Sequence, residues 1–284
     1  MLTAITSWLP YLAYLGVAAI ALYAFWRFYF KDVWARARVY SKNIATCGYL
    51  APPPTKRASE WLRRVAWCLS FAQVGTVRIH GRENLEALEK SGRVYMLNMN
   101  HPSWMDPAMA AIIMDGRPTR FFATHTVATA FGGLGALLVG PCGVISVDLA
   151  RGKGHPAYLA GVQVLKERQR LIVFPSGWAK LDGIEAEHKT GVVRMAKEVS
   201  EAIGEPVYML PGFIRYGRYP GSWIVKWPAP IGYFFMFVFR SWYRNGVVVN
   251  IGEAISSADL PDDAHAAKDF LHDRIMALDP KRSN

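Results

Sequence analysis

A histidine and an aspartate stand five residues apart in "NHPSWMD", residues 100–106, directly after the apolar run "RVYMLNM". An imidazole beside a carboxylate suits general-base chemistry. The carboxylate holds the Nδ1–H, fixes the tautomer and stabilises the imidazolium, and Nε2 handles the proton. On a straight helix, positions 101 and 106 would point about 140° apart around the axis, so the pairing needs a turn between them. Pro107 follows Asp106 and opens the apolar stretch "AMAAIIM". Proline favours the first helical position, which predicts a helix over 107–115 with Asp106 as its N-cap and His101 in the preceding loop. The spacing alone is weak, because a chain with 7 His and 22 acidic residues produces such pairs by accident. No G-x-S-x-G elbow supplies a serine nucleophile, so the nucleophile would come from the substrate, as an alcohol or amine.

The elements around the motif must position it. Strands are predicted at 77–80, 93–98, 120–124, 143–147, 171–174, 206–210 and 222–227. Helices are predicted at 107–115, 156–169, 190–203 and 264–278. This alternation indicates an α/β fold with a mostly parallel sheet flanked by helices. The tail helix carries Phe270, Leu271, Ile275 and Leu278 on one side, and nothing in it suggests catalysis. Ser59 is placed to cap a helix to about Ala72, with Trp61, Leu62, Val65, Cys68, Leu69 and Ala72 at helical spacing and Arg63 and Arg64 to one side. That helix reads either as core-packed or as a basic, Trp-bearing helix on a membrane surface.

Residues 2–26 contain no charged side chain, and as a helix they would measure about 37 Å, enough to span a bilayer core. Arg27, Lys31, Arg36, Arg38 and Lys42 follow. The positive-inside rule then leaves the remainder of the chain, with the catalytic domain, on the cytoplasmic side of a membrane. A cleaved signal peptide fits less well, since "MLTAITSW" lacks a basic n-region. Pro10 leaves open a shallower, interfacial helix from Tyr11 onward. The expected organisation is a membrane anchor and basic flank at 1–50, a Pro-rich linker and amphipathic helix at 51–75, a catalytic domain at 76–255 and a helical tail at 256–284.

Apolar residues make up 52% of the chain and the formal net charge is +11, which suits an anionic partner such as a membrane face or an acidic ligand. Nucleic acid is disfavoured because the basic residues are scattered and no recognised binding motif appears. Cys47, Cys68 and Cys142 form no CxxC pair and no cluster with His, so neither a disulfide framework nor a metal site is expected. The aromatic stretch "YFFMFVFRSWYR" (233–244) reads as a buried strand or as a membrane-dipping, acyl-chain-lining segment whose Arg240 and Arg244 meet headgroups.

"NHPSWMD" resembles the H-x4-D motif of the glycerolipid acyltransferases, among them the 1-acylglycerol-3-phosphate acyltransferases. "GVISVD" (143–148), "FPSGWAK" (174–180), "HKTGVVRMA" (188–196) and "PVYMLPG" (206–212) are similar to further family segments in the same order. The likeness covers about residues 77–255. It implies transfer of an acyl group from acyl-CoA or acyl carrier protein to a lysolipid in a membrane, with His101 as base, Asp106 supporting it and no bound cofactor or metal. It also implies an acyl-donor or pocket role for Asn100, Ser103, Trp104 and Pro211, and acceptor binding by the third motif at Ser176 and Gly177.

The departures bear on the acceptor. The family's glutamate in the third motif is Ser176 here, its Thr-Arg is Trp178-Ala179, and the arginine expected after Asp148 is Leu149. Arg151 and Lys180 lie close enough to replace the missing cations at an acceptor phosphate. Otherwise the acceptor is a phosphate-free lyso-aminolipid, or the protein is an inactive, lipid-binding relative.

Overall fold

The computed structural model describes residues 38–39, 41–43, 46–73, 75–103, 105–124, 140–148, 155–177, 179, 186–217 and 246–280. The expected anchor at 2–26, the strand at 222–227 and the aromatic stretch at 233–244 lie outside them. In chain order the helices are α1 (Lys56–Gln73), α2 (Arg82–Ser91), α3 (Asp106–Met114), α4 (His155–Lys166), α5 (Gly191–Ile203) and α6 (Ala264–Met276). The strands are β1 (Val77–His80), β2 (Tyr95–Met99), β3 (Thr119–Thr124), β4 (Val144–Val147), β5 (Arg170–Val173), β6 (Tyr208–Tyr216), β7 (Val247–Ile251) and β8 (Ile255–Ser256).

They form one sheet in the order β1-β7-β6-β2-β5-β3-β4, with β8 also paired to β6. The pairs β6/β2, β2/β5, β5/β3 and β3/β4 are parallel, as is β1/β7, whereas β7 and β8 run antiparallel to β6. Every residue of the central β2 is buried, as a parallel strand covered on both faces requires. Its side chains alternate. Met96 joins a core with α4, α5 and α6, while Tyr95, Leu97 and Met99 join another with α1, α2 and α3. The sheet is therefore the middle of three layers. Its β4 edge is covered by residues 48–51, where Gly48 and Ala51 donate to the Ser146 and Val144 carbonyls.

Several expectations need correction. The strand predicted at 206–210 continues to Tyr216. The strand runs through both Pro211 and Gly212. Pro211 falls between the β6/β7 and β6/β8 ladders, where a missing N–H removes no rung. At Gly212 a Cβ would come within 2.9 Å of Met99 Cγ, so only glycine lets β6 lie this close to that side chain. Helix α2, β7 and β8 were not anticipated. Helix α1 starts at Lys56, and Thr55 rather than Ser59 caps it, its Oγ1 accepting from the Ala58 amide at 3.1 Å. The inward face of α1 is small, with Ser59, Ala66 and Ser70 buried. Trp61 and Trp67, at 46% and 40% exposure, point outward near Arg57 and Arg64.

Candidate active site

Strand β2 ends at Met99, and the chain turns through residues 100–105 before α3 begins. Asn100 closes the strand. Its Nδ2 donates to the Ile214 carbonyl at 3.0 Å and its Oδ1 accepts from the Ile214 amide at 2.6 Å. One buried side chain thus replaces a ladder rung and ties the start of the loop to β6. Ser103 makes the next turn, its Oγ accepting from the Met105 amide at 3.1 Å and its carbonyl from the Asp106 amide at 3.3 Å.

This turn folds Asp106 back onto His101. His101 Nδ1 lies 2.7 Å from Asp106 Oδ2, and the same oxygen accepts from the Ser103 amide at 2.8 Å. The Tyr216 hydroxyl, from the far end of β6, donates to Oδ1 at 2.8 Å. Asp106 is the first residue of α3 and caps nothing, because its carboxylate points back into the loop and no side chain caps the helix. The expected N-cap role is therefore replaced by a bond to the imidazole, at the helix end whose dipole favours an anion. Burial of the fully enclosed carboxyl raises its pKa above the ordinary range, while His101, the Ser103 amide and Tyr216 act in the opposite direction.

The His101 side chain is 16% exposed, at the carboxyl end of the central parallel strands where α/β folds place their sites. Its ring stacks on Phe174, with centroids 4.3 Å apart and planes 19° from parallel. Phe174 opens the third motif, just after β5. The motif closes in a turn in which the Gly177 amide donates to the Phe174 carbonyl at 2.9 Å, with Gly177 at φ 74°. Ser176 is buried in that turn, and the Lys189 amide donates to the Pro175 carbonyl at 3.0 Å, joining the turn to the approach of α5.

The structure thus brings together His101, Asp106, Asn100 and Ser103, with the Ser176–Gly177 turn next to the imidazole through Phe174. Pro211 is buried within β6, opposite Asn98. Trp104, Arg151 and Lys180 lie outside the described residues. Tyr216 and Phe174 were missed. Phe174 stood in a segment already singled out, but no spacing rule connects Tyr216 to a loop 110 residues earlier. Among the described residues no group of His, Cys, Asp and Glu is arranged to hold a metal ion.

No curated protein matches the chain. Among solved structures, the 1-acyl-sn-glycerophosphate (LPA) acyltransferase PlsC from Thermotoga maritima shares the fold, with a TM-score of 0.51 and 17% identity over 81% of this chain and 80% of that one. The family model described as Acyltransferase matches residues 76–215, the stretch that carries both His101 and Asp106 and the strands that hold them. This match places an acyltransferase-family domain at residues 76–215 of the chain.

Proposed function

We propose that this acyltransferase moves a fatty acyl group from an acyl thioester to the hydroxyl of a lysophospholipid at a membrane surface. The observation that carries the reading is the His101–Asp106 contact of 2.7 Å beside the exposed end of the sheet. With Nδ1 committed to Asp106, proton transfer falls to Nε2. His101 takes the acceptor's hydroxyl proton as the oxygen attacks the thioester carbonyl. The tetrahedral intermediate collapses, the C–S bond breaks, and the imidazolium returns its proton to the departing thiolate of coenzyme A or acyl carrier protein.

The membrane setting rests on the outward face of α1, where Trp61 and Trp67 stand among Arg57 and Arg64, and on the net charge of +11. Such a face suits an anionic lipid surface. Among the described residues no helix is long and apolar enough to cross a membrane, so a spanning anchor is proposed only for residues 2–26. With the catalytic domain on the cytoplasmic side, the thioester donor would reach His101 from that compartment.

The PlsC match is to a protein named for lysophosphatidic acid, and Arg151 and Lys180 would supply cations for the same acceptor phosphate here. Leu149 and the Trp178-Ala179 pair favour a second reading, in which the acceptor is a phosphate-free lyso-aminolipid. Acyl transfer assayed side by side on lysophosphatidic acid, a lysophospholipid with a larger headgroup and a lyso-aminolipid decides between them. Turnover confined to the lyso-aminolipid would refute the phosphate reading. Absence of transfer to all three would favour an inactive lipid-binding relative.

A further inference from the structure

We infer that Tyr216 is a positioning residue for the base, holding the Asp106 carboxylate in the plane and charge state that His101 needs. The inference rests on the proposed general-base role of His101 and extends it to a residue on another strand.

Asp106 is fully buried, and a buried carboxylate is costly unless its oxygens are hydrogen-bonded. Oδ2 is used by His101 Nδ1 and the Ser103 amide, both from its own loop. Those contacts fix one oxygen and leave rotation about the Cβ–Cγ bond to be set from elsewhere. The Tyr216 hydroxyl sets it, reaching Oδ1 at 2.8 Å from the opposite side. Tyr216 is itself 2% exposed, within the apolar cluster that includes Leu210, Ile214 and Val247. Its backbone is held on β7 opposite Val247, and the next amide, Gly217, donates to the Gly246 carbonyl at 2.9 Å. Two residues before it, Ile214 carries both bonds from Asn100. Strand β6 therefore grips the catalytic loop twice, at the backbone through Asn100 and at the carboxylate through Tyr216.

The consequence is a direction for the charge state of Asp106. A phenol donating to its carboxylate stabilises the ionised form, against the burial that raises the carboxyl pKa. The groups acting on the carboxylate are His101, the Ser103 amide and Tyr216. The charged side chains that α1 turns toward α3 are engaged elsewhere: Arg63 pairs with Glu60 and approaches Asp115, at the other end of α3.

The experiment is an NMR titration of the ¹³C-labelled Asp106 carboxyl in the full chain in detergent micelles, for wild type, Tyr216→Phe and a chain with 3-fluorotyrosine at position 216. The phenylalanine keeps the ring volume and removes the donor. The fluorinated ring keeps the bond and strengthens the donor. We expect the Asp106 carboxyl titration to move up in Tyr216→Phe, by roughly half a pH unit or more for one lost bond to a charged group, and to move down with 3-fluorotyrosine. Turnover of Tyr216→Phe should fall about tenfold with KM within about twofold, since the bond acts on proton transfer and not on substrate binding. Unmoved titrations, or displacements of the same sign, would overturn the inference. If Tyr216→Phe does not fold, the fluorinated chain decides alone, because it retains the contact. If wild type transfers no acyl group while the Asp106 titration moves as expected, the enzymatic reading fails and the positioning role stands.

Discussion

Asn100 and Ile214 exchange two hydrogen bonds, of 3.0 and 2.6 Å, across 114 residues of chain, and this exchange joins the loop that carries His101 to the sheet. The carboxamide completes the β2/β6 ladder at the point where the backbone of β2 turns away.

Asn100→Leu should leave a buried amide and a buried carbonyl of Ile214 without these partners. At about 1–3 kcal/mol for each orphaned group, the loss is large against the stability of a domain. We expect a fall of several degrees in the thermal unfolding midpoint and a loss of acyl transfer larger than the loss of fold. Unchanged stability would mean that the Ile214 groups find other partners.

Asp106→Asn keeps the volume of the side chain and removes its charge. The amide still offers an oxygen to Tyr216 or to the Ser103 amide, but the imidazolium loses its counterion. We expect turnover to fall about 10²–10⁴-fold, by no more than in His101→Ala, with little change in KM. Steady-state kinetics on a substrate that wild type accepts provides the check.

Glu89 joins α2 to the start of β5 through two 2.6 Å bonds with Arg170, and also accepts from Tyr95. Burial alone would raise the Glu89 carboxyl, but Arg170 and Tyr95 outweigh it and hold its pKa below the ordinary value of 4.5. A lowered carboxyl contributes stability that is complete above the unfolded-state value and is lost as pH falls through the folded one. Glu89→Gln should therefore cost on the order of 1–3 kcal/mol near pH 7, and the gap from wild type should narrow below about pH 4.5. Denaturant unfolding at a series of pH values tests the sign. A gap that widens in acid would contradict it.

Trp61 and Trp67 are the outward aromatics of α1. Each half-exposed indole offers on the order of 1 kcal/mol of apolar burial, so replacing both by Ala should weaken binding to anionic vesicles roughly tenfold or more. A chain beginning at Ala51 should bind the same vesicles more weakly than the full chain and release with added salt, since screening over about 8–10 Å removes the attraction of the basic face. Full solubility of that shortened chain at low salt would show that α1 makes no membrane contact.

The parts of this molecule legible in sequence were those governed by local rules. Alternating apolar runs marked β1 to β5, and Pro107 marked the start of α3. His101 and Asp106 were legible as a pair because a loop between strand and helix brings them together within six residues. The rest depended on distant contacts. Helix α2, "RENLEALEKS", buries only Leu85 and Leu88, too short a stripe to stand out from a charged loop. The strand was not read past Leu210, because the reason for Gly212, the side chain of Met99, lies on another strand. Trp61 and Cys68 fell at core-like spacing on α1, yet small residues pack that helix on α3 and the aromatics face outward. Tyr216 was invisible for the same reason as Gly212: its hydroxyl has meaning only once β6 lies beside β2.

The acceptor phosphate, if present, should be felt at Arg151 and Lys180. Changing either to Ala should raise KM for lysophosphatidic acid by roughly ten- to a hundredfold, the value of one charge-assisted bond to phosphate, and spare zwitterionic lysolipids. Equal effects on both lipid classes would show that these cations do not read the phosphate.

The central claim is that His101 is the base for acyl transfer, and it is tested most directly by the rate of acyl transfer from acyl-CoA to a lysophospholipid in wild type and His101→Ala, alongside vesicle binding of both. We predict that His101→Ala loses about 10²–10⁴-fold or more in turnover while binding vesicles as wild type does. A His101→Ala enzyme that transfers acyl groups at the wild-type rate would contradict the claim.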